Sequence, residues 1–505
     1  MSDDLPEEFD LIVVGTGFTE SCIAAAASRI GKTVLHIDAN EYYGDAWSSF
    51  NLEAFNCLLE QPNFTLRNGS YIWHGPESKE ENEEMEIVSW TRETLLEKSR
   101  RFSLDLSPRV AYSDGELVKL LIKSNICRYA EFRAVDHVCI LSNDELVSVP
   151  CSRSDVFNTK MLTMVEKRML MKFLTACNDY KEEDELSFRG RTFLEYLQAQ
   201  RVTDKIGTCV MQAIAMCDAN TSFEVGMQRT NRFLGSLGRY GNTPFLFPMY
   251  GSGELPQCFC RLCAVFGGVY CLKRSLDGIT QAEQSNELLV SSAGKTLRAK
   301  QVVCAPAQLP ASLARHYGEL KPHISRGLFI AASPLGNEEL NKGGGGVILL
   351  RLLAEEGARE ACLLQLAHYS GTCPEGLYIF HLTTPAISED PSADLAAFTA
   401  QLFQANAPQI LYSAYFTLTA QTIPKTSTAM PICCTAAPTY ELDYDAAIAN
   451  ARDIFDKLYG EAEEFLPRAP DPEEIVVEGE DPSALREHSL PEDLRAQLQQ
   501  MDIAE

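Results

Sequence analysis

Residues 10–45 constrain the fold of this 505-residue chain more than any other stretch. Leu11-Ile12-Val13-Val14 is a short apolar run of the kind a buried parallel strand requires. Gly15-Thr16-Gly17-Phe18-Thr19-Glu20 follows, then a run of small residues through Ala27 that suits a helix, and then Val34-Leu35-His36-Ile37 as a second strand ending at Asp38. The pattern is a Rossmann-like βαβ start. Asp38 stands about twenty residues past the glycines, where such units keep the acid that binds a ribose hydroxyl. A working fingerprint also needs glycine at its sixth position, so that helix and strand pack closely beside a diphosphate. This chain has Glu20 there. A carboxylate in the first turn suits the helix dipole, but it fills the space and repels a diphosphate. Gly15, Gly17, Glu20 and Asp38 therefore read as a degenerate nucleotide site.

The length points to two or more domains. A hydrophobic content of 45% and a charged content of 23% suit an ordinary globular protein. No run of about eighteen apolar residues occurs, so no membrane span is expected. The acidic N-terminal residues lack the charged-then-apolar pattern of a signal sequence. Seventeen scattered cysteines fit reduced thiols in the cytosol better than a disulfide framework. Cys258, Cys260 and Cys263 share one expected helix without a paired knuckle or a nearby histidine, so no metal is expected. The eight histidines show no ligand spacing and no glycine-elbow serine is present, so no catalytic set is legible. A net charge of −26 disfavours nucleic acid and anionic membranes as electrostatic partners. It suits basic protein partners, or solubility alone.

Residues 77–86 are acidic, lack apolar periodicity and read as an exposed loop. Helical patterning marks 161–177, 192–200, 205–217 and 223–237, while mixed α/β character spans 239–458 and includes a tetraglycine at 343–346. Beyond Pro467 the chain is acidic and proline-punctuated, as a loosely held tail is. The expected organisation is a discontinuous α/β domain of residues 1–153 and 237–466, an all-helical insert at 154–236, and a tail at 467–505.

Residues 239–257 form the strongest constellation. Pro256 is expected to open a helix, where its missing N–H costs nothing, and Gly267-Gly268 to stop it after Phe266. At about 100° per residue, Glu254, Gln257 and Arg261 fall on one stripe. From spacing alone, the stripe is either a solvated edge with a Glu254–Arg261 ion pair or a recognition face. The insert offers Met161, Met164, Met169, Met171, Val210, Met211, Ile214 and Met216 as an adaptable apolar interior, serving either as core or as a lipid site.

Three stretches taken together carry a resemblance: Val14-Gly15-Thr16-Gly17-Phe18-Thr19-Glu20, Asp38-Ala39-Asn40-Glu41-Tyr42-Tyr43-Gly44, and residues 239–257. They resemble the Rab GDP-dissociation inhibitor and Rab escort protein superfamily, over most of the chain. Glu8-Phe9-Asp10-Leu11, Trp47-Ser48-Ser49-Phe50, Asp105-Leu106-Ser107-Pro108 and residues 165–174 resemble the escort branch, as does Gln257-Cys258-Phe259-Cys260-Arg261. The resemblance implies a flavin-monooxygenase-like, GDI-type large domain that has lost its FAD, plus the inserted helical domain. The stretch Ala437-Pro438-Thr439-Tyr440-Glu441-Leu442-Asp443 lacks the glycine of the usual flavin segment, a second reason to expect no cofactor.

Carried over by motif, the Rab-binding platform comprises Tyr43, Glu254, Gln257, Arg261, Val269 and Cys271. Val269 departs from the hydroxyl residue of inhibitor relatives. In the family the helical domain holds the geranylgeranyl group and docks the αβ heterodimer of Rab geranylgeranyltransferase. Met169, Phe173, Phe193 and Met211 are the candidates there, with core as the other reading of the two phenylalanines. The implied activity is that of a noncatalytic escort in the cytosol. It binds GDP-form Rab GTPases, both unprenylated and prenylated, presents them to the transferase and delivers them in a transient membrane contact. A recycling GDP-dissociation inhibitor and an FAD-dependent oxidoreductase that tolerates Glu20 are the two other readings.

Overall fold

The computed structural model describes residues 5–468 except 62, 64, 78–89, 143–144, 181–186, 283–286, 311, 314–319, 339, 343–345, 355–358, 404–407 and 422–431. Most of the acidic 77–86 stretch, most of the tetraglycine and nearly all of the tail fall outside these residues.

One seven-stranded sheet carries the βαβ start. Its strands are β1 (Glu8–Val14), β2 (Val34–Ile37), β3 (Val269–Cys271), β4 (Gly278–Gln281), β5 (Leu288–Ser292), β6 (Lys295–Cys304) and β7 (Ile432–Cys434). The order runs β3-β2-β1-β6-β5-β4, with β7 also on β6. The strands β3, β2, β1, β6 and β7 are mutually parallel, and β6-β5-β4 is an antiparallel meander. Apolar layers cover both faces, which explains why β1 reads as a continuous hydrophobic run.

Helix α1 (Phe18–Arg29) is buried nearly all round, between α2 (Glu254–Val265) and α3 (Asp445–Tyr459). Its alanines permit that close approach on two sides. Gly15 links β1 to α1 at φ +101°, where a Cβ would come within 2.6 Å of Ala305. The helix carrying Pro256 starts two residues earlier than expected, at Glu254, so the proline is its third residue rather than its first. The shift is harmless because first-turn N–H groups have no intrahelical acceptor anyway.

A second sheet of eight strands runs from Leu66–Trp73 at one edge to Glu145–Ser148 at the other. Beside it stand the helices Arg153–Asn158, Met164–Asn178, Phe193–Ala199, Asp204–Cys209 and Phe223–Ser236; Phe223–Ser236 packs on Met164–Asn178 and Phe193–Ala199, and a π-helical turn at Val210–Ile214 meets the sheet. Reciprocal capping boxes start three of them, Ser152 with Asp155, Thr163 with Glu166 and Thr192 with Glu195. The interior is aromatic rather than methionine-rich: Phe173, Phe193, Tyr196 and Phe223 are buried together. Met164 is 60% exposed, while Met161, Met169, Met211 and Met216 are half-buried at the margin of that core. All seventeen cysteines are free thiols. Among the described residues no helix is long and apolar enough to cross a membrane, and no cluster of side chains suits a metal ion.

Candidate functional site

Helix α2 turns Glu254, Gln257 and Arg261 outward, all three exposed, while Leu255, Phe259 and Cys263 bury its other face. Tyr43 enters from the loop after β2, Tyr129 from the turn after Ile126–Arg128, and Tyr270 from β3. These six residues line a groove of about 360 Å³. Arg261 lies over the Tyr129 ring at 5.3 Å from its centroid. Among the described residues, no ion pair joins Glu254 to Arg261, and neither charged tip has a hydrogen-bond partner. Burial alone raises the Glu254 carboxyl above its ordinary value, with no cation to lower it. Gln257 Nε2 donates to the Gly253 carbonyl at 3.2 Å. The groove thus presents an acid, a base and an amide beside three phenols, and the ion pair that would have made the stripe inert is missing.

The platform expected from the motifs is assembled only in part. Tyr43, Glu254, Gln257 and Arg261 share the groove. Val269 and Cys271 lie on the neighbouring edge strand but pack against the opposite core layer, with Leu35 and Ile37. Strand alternation gives the reason: the residue between them, Tyr270, points to the groove side. The Tyr270 ring stands 4.7 Å from His36 and 6.1 Å from Tyr43. His36 Nε2 in turn faces the Gly15 carbonyl, and burial pushes its pKa down to about 4, so the imidazole is neutral. One aromatic contact chain thus links the glycine turn to the groove floor.

The nucleotide cleft lies at the other end of that chain. Asp38 accepts from Thr16 N at 2.8 Å and Thr16 Oγ1 at 2.6 Å, from Asn40 N at 2.8 Å, and from Gln308 Nε2 at 2.8 Å. Gln308 also accepts from Ala39 N at 3.2 Å, so its carboxamide sits where a ribose hydroxyl would meet the acid. Glu20 is buried against Gly17, and Thr435 Oγ1 donates to its carboxylate. Desolvation, with Asp45 and Asp38 adding repulsion, raises its pKa to about 7. Arg109 stacks on Trp47 at 4.7 Å and donates to the carbonyls of Thr439, Glu441 and Asp443. The space left near Glu20 is about 40 Å³, and that beside Arg109 about 30 Å³. Pockets for ligands of drug size run to roughly 300–1,000 Å³. These residues do not fit a bound dinucleotide.

Of the insert candidates, Phe173 and Phe193 are core residues, and Met169 and Met211 are half-buried. The apolar side chains this region exposes are others: Phe157 at 70%, Val165 at 66% and Met164. Tyr129, Tyr270, Gln308 and Phe157 were not singled out from the sequence. Of these, only Tyr270 had a local signal, the period-two alternation of its strand.

A nucleotide-binding scaffold with a self-filled cleft and an unpaired polar groove defines a binding protein built on an oxidoreductase-type fold. The comparisons agree. The description "GDI: GDP dissociation inhibitor" matches residues 5–67 and 84–467. A Drosophila melanogaster protein named Rab proteins geranylgeranyltransferase component A is 70% identical over 519 aligned positions covering 100% of both chains. A Rattus norvegicus protein named Rab proteins geranylgeranyltransferase component A 1 is 31% identical, with 95% of each chain covered. The crystal structure of Rab GDI from Plasmodium falciparum superposes with a TM-score of 0.69 at 18% identity, covering 90% of this chain and 99% of that one. An oxidoreductase from Methanosarcina mazei gives a TM-score of 0.54 at 12% identity, covering 88% and 99%. The last two likenesses bear on the fold alone. The chain belongs to the GDP dissociation inhibitor family, in the branch of the component A relatives, as the escort-type motifs implied.

Proposed function

We propose that this chain is a noncatalytic Rab escort protein. It binds GDP-loaded Rab GTPases through the groove on α2 and presents their C-terminal cysteines to Rab geranylgeranyltransferase. It then carries the prenylated product through the cytosol to membranes. The observation that carries this reading is the convergence of Tyr43, Glu254, Gln257 and Arg261 on one groove with both charged tips unpaired. Polar groups left so at a concave surface gain more from a complementary partner than from water. The whole-length relationship to component A proteins gives that partner its identity.

The helical segment, residues 154–236, takes the transferase and the lipid in this reading. Exposed Phe157, Met164 and Val165, flanked by Lys160, Arg168 and Lys172, form an apolar and basic face suited to a protein partner. Met169 and Met211 have the flexible side chains that let an isoprenoid in at the margin of the core. A twenty-carbon chain gains at most about 16 kcal/mol on full burial, at ~0.8 kcal/mol per carbon. A fraction of that keeps a doubly lipidated protein in solution. We propose further that the protein works without FAD; the support is that Glu20, Gln308 and Arg109 fill the cleft themselves.

Reconstitution with a GDP-loaded Rab, the αβ transferase and labelled geranylgeranyl diphosphate tests the whole. Label enters the Rab only when this protein is added. Equal labelling without it contradicts the escort reading. Extraction of lipidated Rab without support of labelling indicates a recycling inhibitor, and a yellow preparation that releases stoichiometric FAD indicates an oxidoreductase.

A further inference from the structure

The helix that bears the groove starts without a cap of its own. Its N-cap residue, Gly253, has no side chain to satisfy the orphan N–H groups of the first turn. The preceding turn is costly at Tyr250, φ +67°, and calls for a glycine at Gly251, φ +104°. Something outside the helix must hold it.

That hold comes from a buried carboxylate on another segment. Asp105, fully buried on the short strand Leu104–Asp105, receives the Ser252 N–H on both oxygens, at 3.0 and 3.1 Å. Ser49, on the paired strand Ser49–Phe50, donates its hydroxyl to Asp105 at 2.5 Å and accepts from the Gly253 N–H at 2.8 Å. Ser103 Oγ donates to the Tyr250 carbonyl, and the Arg109 N–H donates to Ser252 Oγ at 3.1 Å. The approach is so close that a Cβ on Gly251 would lie 2.6 Å from Asp105 Oδ1, and one on Gly253 would lie 2.5 Å from Ser49 N. The negative charge also sits at the end of the helix where the dipole favours it. Neither Asp105 nor Ser49 lines the groove.

We propose that Asp105, acting with Ser49, is the positioning residue of the recognition groove. It fixes the direction in which α2 leaves its turn, and so the places of Glu254, Gln257 and Arg261 against a GDP-bound Rab GTPase. The proposal rests on the reading of that groove given above. Its lever is geometric: a rotation of about 10° at the start of the helix moves Arg261, two turns on, by about 2 Å. A displacement of that size separates a charge-assisted hydrogen bond from its partner.

The test uses the full chain and one GDP-loaded Rab. Ser49→Ala and Asp105→Asn are each expected to weaken binding about tenfold and to speed amide exchange at Ser252 and Gly253. Adding Arg261→Ala to Ser49→Ala is expected to cost less affinity than Arg261→Ala costs alone, because a misplaced arginine has already lost its contact. A purely structural role predicts lower unfolding midpoints, unchanged affinity and additive effects, and that result overturns the proposal even if Asp105→Asn fails to fold, since Ser49→Ala reports alone. If Arg261→Ala by itself leaves affinity unchanged, the groove reading and this proposal fall together. If Arg261→Ala weakens binding and neither Ser49→Ala nor Asp105→Asn does, only this proposal falls.

Discussion

The cleft at the start of α1 and the groove on α2 stand on one βαβ scaffold, joined by Gly15, His36, Tyr270 and Tyr43, yet they treat charge in opposite ways. In the cleft, Asp38 has four donors from this chain, Glu20 has Thr435, and Arg109 has three carbonyls. In the groove, Glu254 and Arg261 lie on one helical stripe and do not pair. Satisfied polar groups inside a protein hold its shape, whereas unsatisfied ones at a concave surface await a partner. On the function proposed above, the comparison sets a scaffold apart from a binding surface. It also predicts that cleft substitutions change stability and groove substitutions change binding.

The largest effect is expected at Arg109. Arg109→Ala leaves the Thr439, Glu441 and Asp443 carbonyls without their donor and removes the cation from Trp47. Each buried carbonyl left unpaired costs about 1–3 kcal/mol, and three together give the largest loss, which urea unfolding will register as a lower midpoint.

Glu20 sharpens the comparison through pH. Its folded pKa of about 7 lies above the ordinary 4.5, so the native state holds the proton more tightly than the unfolded chain. Stability therefore falls as pH rises from about 4.5 to 7 and stays low above that. Asp45 and Asp38, buried beside it and raised by burial, add slopes of the same sign. Glu20→Gln is expected to flatten its share of that slope and to exceed the wild type by ~2–3 kcal/mol at pH 8, read from unfolding curves at several pH values.

On the groove side, Arg261→Ala is expected to cost about 2 kcal/mol of Rab affinity, since the partner's acceptor is left desolvated. Its unfolding midpoint shifts little, because the exposed side chain lies over the partly exposed Tyr129 ring, a contact of about 0.5–1 kcal/mol. Gln308→Ala has the smallest effect. It removes one of four donors to Asp38 and costs about 1 kcal/mol of stability, with Rab affinity unchanged.

Local patterns were legible in the sequence and distant ones were not. The glycine turn, Glu20 and Asp38 fall within one βαβ unit, so spacing alone pointed to the cleft they line. The stripe of α2 followed from helical geometry, and the groove contains the three residues it named. Tyr270 was less legible, because the motif carries Val269 and Cys271, whose side chains strand alternation sends to the other layer. Gln308 gave no signal, since its partner Asp38 lies 270 positions away in sequence. Phe173 and Phe193 illustrate the same limit: the resemblance offered them as contact residues with core as the other reading, and tertiary packing buries them and leaves Phe157 exposed.

The most direct measurement is a pair of titrations with one GDP-loaded Rab, each accompanied by an unfolding midpoint from the same preparation. One protein carries Glu254→Ala with Arg261→Ala, and the other carries Glu20→Gln with Gln308→Ala. The account predicts that the groove pair loses at least roughly thirtyfold in affinity at a nearly unchanged midpoint, a loss of about 2 kcal/mol or more. It predicts that the cleft pair binds like the wild type while its midpoint rises at pH 8, where the gain at Glu20 exceeds the loss at Gln308. Wild-type affinity in the groove pair, or a comparable loss in the cleft pair, contradicts it.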